Sequence, residues 1–406
     1  MTHPAELPEN EQLARVILKP VEYLKLALED EQNAGRGAAL IVTKEDIFTI
    51  KRYERHGLSL PITLTRIEQQ LGFVRSDIAG LEPSDLLETY RATHQHAASW
   101  SSIEQNIKLT GIDIDLFARK FTQQGADIVS YIEKMDLFDQ LEHTVSELTL
   151  EIIQGISSAP LSAAEQKVCF ALSEFLKTIA AQIDAYQQSA ESLTGQISTF
   201  TQTLSVHLIP SIRHKAALAE RSDLDQQIKN LEEDIARLTQ DIEQKNDEYK
   251  STTKNVAWGI FGGPIGVAIT GGIYGSKAEN IRKERNRMIH EKEAKLNQLA
   301  EKRPLAAAVR RLELLLEDMD VRMLDAYRSA TNLQDLWAMI SAYIKNSATE
   351  LAGIKDNQAL LTFALQFQSV VTPWEEIKDI THSLLAIFDS ALTEFARQSK
   401  QSFIRI

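Results

Sequence analysis

Cysteine is almost absent from this sequence: one residue, Cys169, in 406. A single thiol excludes an internal disulfide framework and a cysteine-built zinc site. Set between Val168 and Phe170, it reads as a small buried apolar side chain. Glycine and proline are also scarce, at 17 and 10 residues, which points away from a loop-rich β or α/β enzyme. Basic residues are outnumbered, 44 against 57, for a net charge of −13. An acidic chain of this kind lacks the basic stripe that nucleic-acid binding requires. The opening Met1-Thr2-His3-Pro4-Ala5-Glu6 carries neither a basic n-region nor an apolar h-region, so no signal peptide is visible and release is expected by another route. What is plentiful is apolar content, 43%, enough to build a core.

The few prolines, at 4, 8, 20, 61, 83, 160, 210, 264, 304 and 373, bound the longest helices the chain can make. Between them run three heptad seams. The first is Ile179, Ile183, Tyr186, Ala190, Leu193, Ile197, Phe200 and Leu204. The second is Leu224, Ile228, Leu231, Ile235, Leu238 and Ile242, then Lys245 and Tyr249. The third is Leu312, Leu316, Met319, Met323, Ala326, Ala330, Leu333, Trp337, Ile340, Ile344, Ser347, Leu351 and Ile354. The stretch from Ser211 to Asn255, read as one helix, would reach about 65–70 Å. Such helices must lie side by side, so the expected fold is all-α, an elongated bundle of long helices. Four segments follow: 1–80, packing on the bundle; 81–210, long body helices; 211–310, a coiled-coil hairpin; and 311–406, C-terminal body helices.

Within the first segment, helix-like stretches at 9–31 and 43–55 flank a loop signal, Asn33-Ala34-Gly35-Arg36-Gly37. Thr43-Lys44-Glu45-Asp46 offers an N-cap threonine with an acidic residue three positions on, a capping-box variant. From Pro373, Trp374-Glu375-Glu376 opens a final helix expected to reach about Gln398.

One block breaks the pattern. Residues 256–275 carry no charge, eleven apolar side chains and seven of the seventeen glycines. They sit between a heptad arm ending at Lys254 and a return arm starting at Lys277, the layout of a hairpin with an apolar tip. Twenty such residues match a bilayer's hydrocarbon, but Gly262-Gly263-Pro264 cuts the block near its middle and acts as a hinge. Its seven Ile, Phe and Val residues amount to only about −2 to −4 kcal/mol on insertion scales, which suits conditional insertion rather than a constitutive anchor. In water, each large side chain left bare forgoes about 1.5–3 kcal/mol. The membrane-contacting candidates are Val256, Trp258, Ile260, Phe261, Ile265, Val267, Ile269, Ile273 and Tyr274. Beside them Lys254, Lys277, Arg282, Lys283, Arg285 and Arg287 suit anionic lipid headgroups. The competing readings are a buried hinge or docked tip for the block, and a solvated coiled-coil face for the charges.

Chemistry is otherwise thin. The glycine block has no GxGxxG or GxxxxGK[ST] register, and Gly275-Ser276-Lys277 follows a helical arm rather than a strand. His94 and His96 are two apart, on different helix faces, and read as solvated or capping residues. Glu232-Glu233 and Glu375-Glu376 read as solvated faces. No catalytic constellation, cofactor or metal is expected.

The run Ile41-Val42-Thr43-Lys44-Glu45-Asp46-Ile47, Tyr53 and Gly57-Leu58-Ser59-Leu60-Pro61 resembles the N-terminal signature of the A component of α-xenorhabdolysin-type binary cytotoxins, in the cytolysin A superfamily of α-helical pore-forming toxins. The resemblance implies a non-enzymatic subunit that acts with a B component, assembling into a hetero-oligomeric ring on a target-cell membrane and opening a lytic pore. It also implies that the 256–275 tip touches lipid. A helical rod-like tethering protein, with the glycine block as hinge or docking tip, is the alternative from another class.

Overall fold

A computed structural model describes residues 42–72, 74–76, 78–138, 144–219, 226–254 and 275–404. The expected helix at 9–31 and the loop at 33–37 lie outside these. The described residues form helices α1 (Lys44–Ser59), α2 (Leu64–Leu71), α3 (Pro83–Glu133), α4 (Leu150–Gly155), α5 (Ala163–Gln202), α6 (Ile209–Ala219), α7 (Gln226–Lys254), α8 (Gly275–Lys302), α9 (Pro304–Gly353), α10 (Asn357–Val371) and α11 (Pro373–Ile404). No strand occurs among them; one isolated bridge joins Pro160 and Asp356. The fold is all-α, as its seams require. At 1.5 Å per residue, the 51-residue α3 and the 50-residue α9 each run about 75 Å.

The seams are buried. Every residue of the third, from Leu312 to Ile354, is less than a tenth exposed. The first is buried throughout except for the half-buried Tyr186. In the second, Leu231, Ile235, Leu238, Ile242 and Tyr249 are buried, while Leu224 lies outside the described residues. The stretch from Ser211 does not form one described helix: α6 ends at Ala219 and α7 begins at Gln226.

Pro210 does not end a helix as expected. The chain continues from α5 into α6 through a π-helical segment, Thr203–Leu208, in which Ile209 N–H donates to Leu204 O. A proline inside an α-helix collides with the carbonyl four residues back. The wider turn relieves that collision and lets the helix pass through.

The capping box is present. Thr43 Oγ1 accepts from Asp46 N at 3.1 Å, and Asp46 Oδ2 accepts from Thr43 N at 3.0 Å. Gly57 is required by space: a Cβ there would lie 2.5 Å from the Ala97 Cβ on α3. The last helix opens at Pro373 as expected and runs six residues beyond Gln398.

Two compact units emerge, and they cut across the four linear segments. The described part of unit 1 draws on 108–192 and 330–386; that of unit 2 draws on 42–107, 193–329 and 387–404. Helices α3, α5, α9 and α11 each contribute residues to both. Unit 1 is organised by aromatic rings. Phe117 stacks on Phe121 at 5.2 Å and meets Tyr186, Trp337 and Trp374 edge-on at 5.0–6.3 Å. Val371 packs so close to Gly125 that a Cβ there would lie 2.5 Å from it. Cys169 is buried in this unit, and burial pushes its thiol up to about 11.

Unit 2 contains the α7–α8 hairpin stem. Its cross-links are Asp234–Lys295 at 2.7 Å, Glu232–Arg303 at 2.7 Å and Lys245–Glu284 at 2.9 Å. Partner numbers fall from Arg303, just past the end of α8, to Glu284 as they rise from Glu232 to Lys245 on α7, the mark of antiparallel arms.

Candidate functional site

The tip candidates Val256, Trp258, Ile260, Phe261, Ile265, Val267, Ile269, Ile273 and Tyr274, and the hinge Gly262, Gly263 and Pro264, lie outside the described residues. What the structure describes is the base from which they leave. Lys254 is the last residue of α7, and Gly275 the first of α8. Just below, Tyr249, Ala278, Ile281 and Val321 form a small apolar cluster that seats both arms on α9. Beside it, Tyr249 Oη donates to Asp325 Oδ2 at 2.8 Å and Lys250 Nζ donates to Asp320 Oδ2 at 2.9 Å.

Of the six basic candidates, the five whose side chains are described divide into distinct environments; the side chain of Lys254 lies outside the description. Lys277, Lys283 and Arg287 are exposed. Arg287 pairs only loosely with Glu291, at 3.8 Å. Arg282 and Arg285 are buried, 4% and 1% exposed, and are not available to a headgroup in this form. Arg282 donates to both carboxylate oxygens of Glu279, at 3.0 and 2.9 Å, and to Glu45 Oε2 at 2.8 Å. Arg285 pairs with Asp318 at 2.7 Å and donates to Asn246. The physical reason is geometric. Arg285 meets Asp318 on α9 and Arg282 meets Glu45 on α1, so both are covered by other helices, where hydropathy alone does not place a charge.

Around them lies a connected network that sequence reading missed. Arg322 on α9 donates to Asp46 Oδ1 at 2.6 Å and to Asp318 Oδ2 at 3.3 Å, with Glu45 at 3.6 Å. Asn286 donates to the other oxygen of Glu45. Burial alone would raise the Asp318 carboxyl, but Arg322 and Arg285 outweigh it and hold it below its ordinary value. Burial opposes the charge on Arg322, and Asp318, Asp46 and Glu45 more than restore it. The signal for this network was the acidic pair Glu45-Asp46, already singled out as part of the N-terminal run.

A second group of buried charges lies further along the same helices. Lys292 is fully buried, and its Nζ makes no hydrogen bond among the described residues. Burial lowers its pKa against the pull of Glu313 and Glu317. Burial and the neighbouring Glu317 push Glu313 up to about 7. Arg213 of α6 reaches Glu317 at 2.7 Å and Glu243 at 2.9 Å.

His96, expected to be solvated or capping, is neither. It is buried, with Nδ1 2.6 Å from Tyr53 Oη and Nε2 3.0 Å from the Phe200 carbonyl, and it faces the Phe200 ring at 3.7 Å. Both ring nitrogens are occupied in joining α1, α3 and α5. The group is a structural link, not a reactive one.

Among the described residues, no cluster of histidine, cysteine or carboxylate side chains is arranged to hold a metal. None of the described helices is long and apolar enough to cross a membrane.

No protein-family model matches the chain, and no curated protein sequence does. Solved structures do. YaxA from Yersinia enterocolitica is 32% identical over 88% of this chain and 100% of its own, with a TM-score of 0.48. XaxA from Xenorhabdus nematophila is 24% identical over 88% of this chain and 99% of its own, with a TM-score of 0.45. SmhA, of the tripartite α-pore-forming toxin of Serratia marcescens, is 12% identical over 95% of both chains, with a TM-score of 0.51, and shares the fold. The identity to YaxA, across its whole length, decides the family: this chain belongs to the A components of the α-xenorhabdolysin-type binary pore-forming toxins and is a pore-forming toxin subunit, not an enzyme.

Proposed function

We propose that the subunit meets its target membrane through residues 256–275 and opens a lytic pore in a hetero-oligomeric ring with a B-type partner. The observation that carries this is the uncharged, glycine-rich sequence block that joins the two charged arms of an antiparallel stem. A related structure is that of the YaxAB pore complex, 32% identical over 88% of this chain, which supports a two-component assembly. Trp258, Phe261, Ile265 and Ile269 are the contact residues, and Gly262-Gly263-Pro264 lets the block fold back on itself. The headgroup set is Lys254, Lys277, Lys283 and Arg287, each worth about 1 kcal/mol near an anionic surface. Arg282 and Arg285 leave that set because they are committed to Glu279, Glu45 and Asp318.

Liposome flotation tests the tip. Wild type should float with vesicles containing anionic lipid, and Ile265→Asp/Ile269→Asp should stay in the aqueous fraction with an unchanged helical circular dichroism signal. Equal flotation of the two proteins would refute the assignment of the tip.

A further inference from the structure

We propose that the α7–α8 stem is a releasable element of unit 2, held on α9 by a charge lock whose clasp is the first turn of α1. The lock joins three helices. Glu45 of α1 reaches Arg282 and Asn286 on α8 and Arg322 on α9, and Asp46 pairs with Arg322. Asp318 on α9 then carries the lock back to α8 by accepting both Arg322 and Arg285. Each guanidinium is shared, so loss of one contact weakens the next. The lock therefore opens as a unit.

The buried charges of the seam lower what its separation costs in water. Parting two apolar faces exposes surface at about 25 cal/mol per Å² with nothing to offset it. Parting a seam of ionic groups returns each charge to solvent, so the desolvation spent on burying them is recovered. Glu279, Arg282, Arg285 and Lys292 of α8 and Arg310, Glu313, Glu317, Asp318, Arg322 and Asp325 of α9 are all buried, with Arg285 paired to Asp318 and Lys292 in the field of Glu313 and Glu317. Apolar side chains are buried along the same two helices, among them Ala278, Ile281, Ile289, Leu296 and Leu299 of α8.

The seam is also imperfectly closed. A cavity of about 120 Å³ lies between α1, α8 and α9, bordered by Arg52, Asn286, His290, Asp318 and Arg322. Apolar Phe48, Ile289, Leu314 and Leu315 line it as well, and on its polar side there is room for several waters, since one needs only about 10–15 Å³. Water can therefore reach the lock before the helices part. Half-exposed Glu45 stands at the solvent side of that path, which makes it the first contact to exchange.

The proposal concerns the chain in solution and stands apart from the membrane assignment. Hydrogen exchange on the full chain tests it, comparing wild type with Glu45→Arg and Arg322→Lys. Glu45→Arg alters a half-exposed residue. Arg322→Lys keeps the charge but loses the planar fork that serves Asp46 and Asp318 together. In both variants amides of 275–302 should exchange at least about tenfold faster, and those of 330–344 in unit 1 within about twofold of wild type. Anything short of selective acceleration in both variants overturns the proposal. Unchanged α8 exchange would mean the charges do not hold the stem. Equal acceleration in 330–344 would mean they serve overall stability.

Discussion

The two compact units bury different chemistry. Among the described residues every buried charged side chain, from Asp46 and Glu54 through Glu232 to Asp325, belongs to unit 2. Unit 1 buries hydroxyls, such as Ser341 and Thr381, but no charge; its interior is the ring cluster around Phe117. Aromatic packing buries large areas in stacked and edge-to-face geometries and loses heavily from any separation. Buried ion pairs add little net stability but enforce one arrangement, and they rehydrate when parted. One chain thus pairs an aromatic core with a seam rich in buried charge, and residues 256–275 link the two arms of the stem on that seam in sequence.

Substitutions can break or sharpen that contrast. The largest effect is expected from Phe117→Ala, which removes the ring shared by four aromatic neighbours and should cost about 3–5 kcal/mol in urea unfolding.

A pH effect comes next, and it falls on unit 2. Burial pulls His56 down to about 4, with the Arg311 charge adding to it, and pulls His96 down to about 4 against its hydrogen bond to Phe200. The folded chain keeps both neutral, whereas the unfolded chain protonates them below about 6.5. Their contribution is complete above that value and is lost as pH falls toward 4, at up to about 1.4 kcal/mol per pH unit for each histidine. Glu313, raised to about 7, acts in the opposite sense, its contribution lost as pH rises from about 4.5 through 7. Two histidines outweigh one carboxyl, so the urea midpoint should drop between pH 6.5 and 4.5, and His96→Gln should flatten the drop.

The smallest effect marks the surface of unit 1. Lys345 and Asp184, 53% and 38% exposed, pair at 2.9 Å, and Lys345→Ala should change stability by less than about 1 kcal/mol.

The seams were legible because a heptad repeat states which side of a helix is covered. All thirteen residues of the third seam, polar Ser347 included, are buried where their spacing placed them. The Thr43–Asp46 cap was legible for a similar reason, since it depends on four consecutive residues. What the sequence did not disclose were pairings between distant segments. Arg282 and Arg285 look like surface charges until α9 supplies Asp318 and α1 supplies Glu45. His96 looks solvated until Tyr53 and Phe200 occupy its nitrogens. Pro210 looks like a helix end until a π turn makes room for it. In each case the deciding atom lies on another helix or in the local winding, where spacing alone carries no information.

Dye release from anionic liposomes tests the central claim most directly. The account predicts leakage when the subunit is combined with its B-type partner, none from either component alone, and loss of leakage with Ile265→Asp/Ile269→Asp. Full leakage by that double variant, or none from the complete pair of wild-type components, would contradict it.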